Sequence, residues 1–202
     1  MSNLKLLWEC FLTVTFLPIH GEVKFELSYR RWIQGTDISN SKLKINTMNW
    51  IIRDSDKMEF HTHLKIVLSP IIDDLKDMNW LISDLEYHNT IPFENLPVNY
   101  EQDYFILSPE QFKALVAADV QIIWGVILGI PGTHAIDVDQ NNLPYAEFND
   151  LVWKNGNIQH PEAIIEIVCF DSGYTIVKFR DQSLSGKFKD YFDEAIELES
   201  YK

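Results

Sequence analysis

One apolar segment limits what this chain of 202 residues can fold into. Residues 120–130 are almost continuously hydrophobic, and Pro131 follows them directly. A short, nearly unbroken apolar run that ends at a turn residue is typical of a strand buried on both faces. The run therefore predicts the central strand of a β-sheet.

Other segments predict strands that accompany it. Residues 164–170 and 174–179 are rich in β-branched and aromatic side chains, and they flank Asp171-Ser172-Gly173, which is typical of a hairpin turn. Residues 104–107 predict a short strand, and a further strand begins at residues 80–82. A loop is expected between the last two, because residues 88–103 are mostly polar and contain two prolines.

Helix starts are marked by Ser-Pro pairs. Ser108-Pro109-Glu110-Gln111 is a capping box with proline at the first helical position. Ser69-Pro70 predicts a second start, and Asp73 and Asp74 would then lie near the positive end of the helix dipole. A third helix is expected over residues 183–192.

Alternating apolar residues dominate the first third of the chain. They occur in residues 4–16, 23–30 and 58–66, and each run predicts a strand. We therefore expect a strand-rich unit over residues 1–68 and an α+β unit over residues 69–202, with one continuous domain as the alternative. The predicted fold class is α+β, with a mostly antiparallel sheet and two to four helices.

Features of the termini and cysteines favour a cytoplasmic protein. Glu9 interrupts the apolar stretch that a secretion signal needs, and no small-x-small cleavage site follows it, so we expect residues 1–17 to remain as a buried strand. Cys10 and Cys169 both lie in apolar runs and are expected to be reduced, although a bridge between them stays open. No run reaches the roughly 18 apolar residues of a membrane helix.

Charge is the most informative global property. Lys and Arg number 17 and Asp and Glu number 30, which gives a net charge of −13 and disfavours nucleic-acid and anionic-membrane surfaces. Residues 71–162 contain fifteen acidic and three basic residues, a net of −12. This concentration favours a basic protein partner, which long-range electrostatics would attract.

Aromatic residues lie among these acids. Partly exposed Tyr and Trp side chains are favoured interface anchors, and carboxylates beside them select a basic partner. A half-buried loop with a solvated acidic rim is the alternative explanation of the same pattern. We expect the binding face in the two segments 84–104 and 137–150, which contain no Lys or Arg. The candidate partner-binding residues are Glu94, Tyr100, Glu101, Asp103, Tyr104, Asp137, Asp139, Tyr145, Glu147 and Asp150.

Enzymatic alternatives have less support in the sequence. Glu59, His61 and His63 would share one face of the predicted strand over residues 58–66, and the two imidazoles could then hold zinc in a metal-dependent hydrolase. A solvated polar strand face explains the same pattern. No catalytic residue and no cofactor are predicted, because nucleophile-elbow, phosphate-loop and dinucleotide motifs are missing from the sequence. A structural oligomer joined through edge strands is a third alternative, and the oligomeric state stays open.

Three segments resemble the acidic immunity proteins of bacterial toxin systems. They are Trp80-Leu81-Ile82-Ser83-Asp84-Leu85-Glu86, Tyr104-Phe105-Ile106-Leu107-Ser108-Pro109-Glu110 and Trp124-Gly125-Val126-Ile127. Together they cover less than a third of the chain. The resemblance implies an antitoxin-like inhibitor that neutralises a basic protein such as a nuclease toxin, and it transfers no functional residue to this sequence.

Overall fold

The computed structural model describes residues 48–88, 96–99, 101–118 and 120–201. Expectations about residues 1–47, including Cys10 and the strand predicted for residues 1–17, lie outside the described residues. The strands in the described part are β1 (Asn49–Ile52), β2 (Met78–His88), β3 (Tyr104–Leu107), β4 (Gln121–Pro131), β5 (Ile165–Phe170), β6 (Tyr174–Phe179) and β7 (Ile196–Glu197). The α-helices there are α1 (Leu64–Leu68), α2 (Pro109–Ala117) and α3 (Gln182–Tyr191).

All seven strands form one antiparallel sheet in the order β3-β2-β4-β5-β6-β1-β7. β4 lies in the interior of this sheet between β2 and β5, so the prediction of a central strand over residues 120–130 is confirmed. The predicted hairpin over residues 164–179 is confirmed as β5 and β6, which pair from Ile165 with Phe179 to Phe170 with Tyr174. The α+β fold class with an antiparallel sheet and helices is therefore correct.

The two faces of the sheet are covered in different ways. One face packs against buried side chains of all three helices, among them Val67 of α1, Phe112 of α2 and Phe188 of α3. The other face packs against residues of the irregular segment 132–163, including Ala146 and Val152. The candidate site lies on this second face of the sheet, where the irregular segment 132–163 forms the protein surface.

Local sequence signals fix two of the helices. Ser108 accepts a hydrogen bond from the Gln111 backbone N–H and the Gln111 side chain accepts one from the Ser108 N–H, so the capping box at the start of α2 is confirmed. Asp181 accepts from the backbone N–H groups of Ser183 and Leu184 and so caps α3. Each cap satisfies helix N–H groups that have no partner within the helix.

The prediction of a strand over residues 58–66 is wrong. Thr62 has a φ of 64° and is fully buried, and its backbone N–H donates to the Thr175 hydroxyl at 3.0 Å. Its own hydroxyl donates to the Ile122 carbonyl oxygen. These tertiary bonds hold a left-handed residue where an extended run was expected, and α1 then buries Leu64, Val67 and Leu68 at helical spacing.

The helix predicted to begin at Ser69 is also different. Ser69 ends α1, since its backbone N–H donates to the Ile66 carbonyl oxygen. A single 3₁₀ turn, Ile72–Leu75, follows instead of an α-helix, and Asp73 and Asp74 lie in its first turn. Ser-Pro therefore closes one helical turn here, and only the pair at Ser108-Pro109 starts an α-helix.

β1 belongs to the same sheet as the strands that follow residue 68. It pairs with β6 on one side and β7 on the other, and the described residues belong to a compact unit, Ile45–Lys202. The expected unit over residues 1–68 lies mostly outside the described residues, so its boundary stays a prediction. Among the described residues, no helix combines the length and the hydrophobicity needed to cross a bilayer.

Gly129 allows close packing between β4, β5 and the Trp80 ring. Trp80 of β2 is its cross-strand partner and stacks on Phe112 of α2 with 3.7 Å between ring centroids. A Cβ atom at Gly129 would come within 2.6 Å of Ile165 Cγ2 and 3.1 Å of the Trp80 ring. A side chain at this position would therefore displace β5 or the Trp80–Phe112 stack.

We expect Gly129→Ala to lower the free energy of unfolding by about 1–3 kcal/mol, because overpacking forces neighbouring side chains to move. Gly186→Ala in α3 is the matched control: no atom lies within 4 Å of its added Cβ, and alanine favours a helix by up to about 1 kcal/mol. Urea denaturation of both variants measures the difference. Equal stabilities would contradict the packing argument.

Candidate functional site

An acidic groove of about 350 Å³ lies beside the bend in β2. Four carboxylates line it, Asp84, Glu86, Asp103 and Glu147, together with the ring of Tyr145. The remaining lining residues are Leu85, Gln102, Trp124, Leu143 and Pro144. Within the part of the chain that the structure describes, no Lys or Arg lines this groove. A surface of this composition attracts cationic groups.

A β-bulge in β2 builds one wall of the acidic groove. Ser83 pairs with Val126 and Glu86 pairs with Trp124, so β2 advances three residues where β4 advances two. Asp84 lies inside the bulge with a φ of 53°. Aspartate tolerates this left-handed conformation better than most residues, and bulges redirect side chains. The Asp84 carboxylate consequently accepts hydrogen bonds from the backbone N–H groups of Ala146 at 2.7 Å and Glu147 at 3.3 Å.

The opposite wall is a loop held by several polar contacts. The Ser83 hydroxyl donates to the Pro144 carbonyl oxygen at 2.6 Å. The Asn149 side-chain amide donates to the Tyr145 carbonyl oxygen at 2.9 Å and to Gln159 Oε1 at 3.0 Å. Ala146 is fully buried while Phe148 is 91% exposed with a φ of 57°. The loop held by these contacts thus exposes a large apolar ring to water.

A buried ion pair supports this loop from beneath. Glu166 of β5 and Lys178 of β6 are cross-strand partners, and their charged atoms lie 2.8 Å apart with no exposed side-chain surface. Glu166 Oε2 also accepts from the Gln159 backbone N–H at 2.6 Å, and the Lys178 ammonium donates to the Asn157 carbonyl oxygen at 2.7 Å. Burial lowers the pKa of Lys178, and the charge of Glu166 opposes that shift.

An aromatic pocket of about 370 Å³ adjoins the acidic groove and shares Trp124 and Glu147 with it. Its other lining residues are Phe148, Asn149, Asp150, Trp153 and Phe170. The centroid of the Phe170 ring lies 4.6 Å from that of Trp124 and 4.8 Å from that of Trp153, at angles of 67° and 68°. Half-buried rings at steep angles to one another make a concave apolar corner.

The structure brings part of the predicted binding face together. Asp103, Tyr145 and Glu147 line the acidic groove, and Asp150 lines the aromatic pocket. Tyr104 lies near them, where its hydroxyl oxygen accepts a bond from Gln140 at 3.4 Å.

Other predicted residues lie elsewhere or are not described. Glu101, Asp137 and Asp139 line neither cavity, and Asp139 accepts the Asn141 backbone N–H at 2.9 Å within its own turn. Glu94 and Tyr100 lie outside the described residues. The partner-binding role of the whole set stays a prediction.

Sequence reasoning missed the aromatic pocket. Trp124 was interpreted as part of a buried central strand, yet it is half-buried at the bulge. Phe148 was part of an aromatic and acidic segment but was not selected, and Trp153 and Phe170 carried no distinguishing signal. Phe148 between Glu147 and Asn149-Asp150 was the one available sign, since a large apolar residue among polar neighbours in a loop has no strand or helix face to join.

The predicted histidine pair does not form as expected. His61 and His63 lie in a turn before α1 and not on one strand face, and His63 stacks on Phe60 with 4.4 Å between ring centroids. No group of three or more His, Cys, Asp or Glu side chains placed to hold a metal ion occurs among the described residues. Cys169 is fully buried, and this burial raises the pKa of its thiol, as expected for a core cysteine.

Comparison with protein-family models, with curated protein sequences and with solved structures found no match. The groove and the pocket are therefore the features of this chain that bear on its function.

Asp84→Gly should loosen the loop without unfolding the protein, because glycine keeps the left-handed backbone of this position and removes only the carboxylate. Hydrogen bonds to a charged group contribute about 1.5–3 kcal/mol, so we expect local opening of that order at Ala146 and Glu147. Amide hydrogen exchange, read at those two residues, measures the effect. Asp103→Ala is the control, because Asp103 is an exposed acid of the same groove. Equal exchange in both variants would show that Asp84 does not hold the loop.

Lys178→Met should be strongly destabilising, by about 3–5 kcal/mol, because it leaves the Glu166 carboxylate buried and unpaired. Removing both charges in Glu166→Leu with Lys178→Met should recover part of that loss, since no buried charge is left. Chemical denaturation measures both variants. A double variant less stable than the single one would contradict this account of the pair.

Proposed function

We propose that this chain is a non-catalytic binding protein whose acidic groove engages a basic protein partner. The observation that carries the proposal is that two acidic segments meet in the groove. The segment 84–104 contributes Asp84 and Glu86 from β2 and Asp103 before β3. The segment 137–150 contributes Tyr145 and Glu147 from the loop. Residues some sixty positions apart along the chain thus build a single concave surface of uniform charge.

Electrostatics gives this surface a role in association. Four carboxylates in one groove create a local negative potential, and a net of −12 over residues 71–162 extends it. Such a field accelerates encounter with a basic protein and excludes acidic ones. Glu86 and Asp103 are exposed, so their contribution to affinity is screened by salt.

The rigid loop gives the surface specificity. Tyr145 is 46% exposed and Phe148 is 91% exposed, and the contacts to Asp84 and Gln159 fix the backbone between them. Aromatic residues on a preorganised backbone lose little conformational entropy on binding and are common anchors of protein interfaces. The proposal therefore assigns attraction to the carboxylates and tight docking to the rings.

The immunity-type function belongs to the same proposal. An inhibitor of a basic toxin needs an acidic, preformed surface and no catalytic group, and the groove supplies the surface. The partner class we propose is a basic protein such as a nuclease toxin, which the chain neutralises by covering its cationic substrate-binding surface.

Reversal of groove charges tests the proposal. Partners captured from the source cells are identified by mass spectrometry, and binding of the purified partner is measured by surface plasmon resonance at two salt concentrations. Glu86→Lys with Asp103→Lys should slow association about tenfold or more at low salt, and the loss should shrink as salt rises.

The control reverses two acids on the helix-covered side of the molecule, Asp73→Lys with Asp190→Lys. Both residues are exposed, and the change in net charge is the same. A much smaller effect is expected from this pair. Equal effects from the two pairs would show that net charge alone matters, and wild-type rates in the groove variant would refute the groove as the binding site.

A further inference from the structure

The aromatic pocket has a composition that the acidic groove lacks. Trp124, Trp153, Phe148 and Phe170 provide its rings, and Glu147 and Asp150 provide carboxylates. Trp124, Trp153 and Phe170 are half-buried, so each ring keeps part of its surface open. Asn149 is the only uncharged polar side chain among the lining residues, and it is already bonded to Tyr145 and Gln159.

Ring faces and carboxylates favour the same type of ligand. An aromatic face carries a negative quadrupole that attracts a cation, and a carboxylate on the rim adds charge and hydrogen-bond acceptors. An anion would meet two carboxylates, and a purely apolar ligand would leave Glu147 and Asp150 poorly solvated beside it. None of the residues that line this pocket is Lys or Arg, so the lining itself supplies no cation.

We propose that the aromatic pocket receives an arginine side chain of the partner. This inference rests on the proposed function, which it deepens by naming the group that docks. The guanidinium stacks its plane on an aromatic ring and forms two parallel hydrogen bonds to one carboxylate, either that of Glu147 or that of Asp150. The aliphatic part of the arginine packs on the remaining rings.

Arginine is favoured over lysine by its chemistry. A guanidinium is planar and weakly hydrated, so it can stack on one ring face while its N–H groups reach a carboxylate, whereas an ammonium keeps its hydration shell more strongly. The Phe170 ring stands at 67° and 68° to its two tryptophan neighbours, so the pocket presents ring edges as well as ring faces. The exposed Phe148 ring can close on the guanidinium from the outer side, since 91% of its surface is open.

Small probes test the pocket without the partner. N-acetyl-arginine methylamide is titrated into protein with ¹⁵N-labelled tryptophan, and the indole N–H resonances are followed. We expect saturable shifts of the Trp124 and Trp153 resonances and none for the buried Trp80. The citrulline analogue, which is neutral and of the same shape, should bind about tenfold more weakly or not at all.

Three variants separate the contributions. Asp150→Asn removes a charge and keeps the shape, and Phe148→Asn removes a ring while suiting the left-handed backbone at that position. Each should weaken the arginine probe about threefold to tenfold. Asp190→Asn on α3 is the matched control and should leave binding unchanged.

Several results would overturn the assignment. Equal affinity for citrulline and arginine would mean that charge is not recognised, and tighter binding of tetramethylammonium would make the pocket a quaternary-ammonium site instead. The absence of any saturable shift up to the solubility limit of the probe would remove the pocket from consideration.

The test also separates this inference from the proposed function. If groove reversal at Glu86 and Asp103 slows partner association but Phe148→Asn and Asp150→Asn leave dissociation unchanged, the pocket inference fails and the proposed function stands. If the arginine probe binds and the partner proves not to be basic, the proposed function fails and the pocket stands as a site for guanidinium groups.

Discussion

The ion pair between Glu166 and Lys178 is the contact on which the candidate site depends. Two fully buried charges are expensive to desolvate, and a pair of apolar residues would often be as stable. The pair nevertheless has a structural role, because each partner also binds the backbone of the segment 132–163 that covers this face. Glu166 accepts a hydrogen bond from the Gln159 N–H, and Lys178 donates one to the Asn157 carbonyl oxygen. Gln159 in turn holds the Tyr145 N–H and the Asn149 side chain. A chain of polar contacts thus leads from the sheet to the exposed Phe148.

The asymmetry of the sheet follows from what each face must bury. Helices satisfy their own backbone hydrogen bonds, so the helix-covered face is built mainly from apolar side chains such as Phe112 and Phe188, with a few buried polar contacts such as that of Trp50 with Ser185. Irregular backbone cannot satisfy itself, so the other face needs polar groups wherever the segment 132–163 crosses it. Ser83, Glu166 and Lys178 are buried there and supply those partners. Polar groups of this kind fix a loop in one conformation, and a fixed loop is suited to recognition.

Local signals were sufficient for much of the fold. The capping box at Ser108, the turn at Asp171-Ser172-Gly173 and the apolar run over residues 120–130 each specify their structure within a few residues, and each was predicted correctly. The failure at residues 58–66 has a tertiary cause, since Thr62 is bonded to Thr175 and Ile122, which lie more than fifty residues away. Asp103, Tyr145 and Glu147, which line the acidic groove, were included in the predicted site because charge and aromatic composition are visible in the sequence. Trp124 and Phe170 were missed because a ring at the end of an apolar strand has the same local pattern as a core residue.

In the proposed function, the adjoining cavities divide binding into two physical steps. Exposed carboxylates act at distances of about a Debye length, near 8 Å at physiological ionic strength, so they govern how fast a partner arrives and have little influence on how long it stays. Ring contacts act only at van der Waals distance, so they govern dissociation. Trp124 and Glu147 line both cavities. In the proposal, a partner would therefore pass from charge attraction to ring contact at the wall that the two cavities share. Under this proposal, a cationic partner in the acidic groove would have its side chains beside the aromatic pocket, whose backbone is already held by Asp84, Gln159 and the buried ion pair.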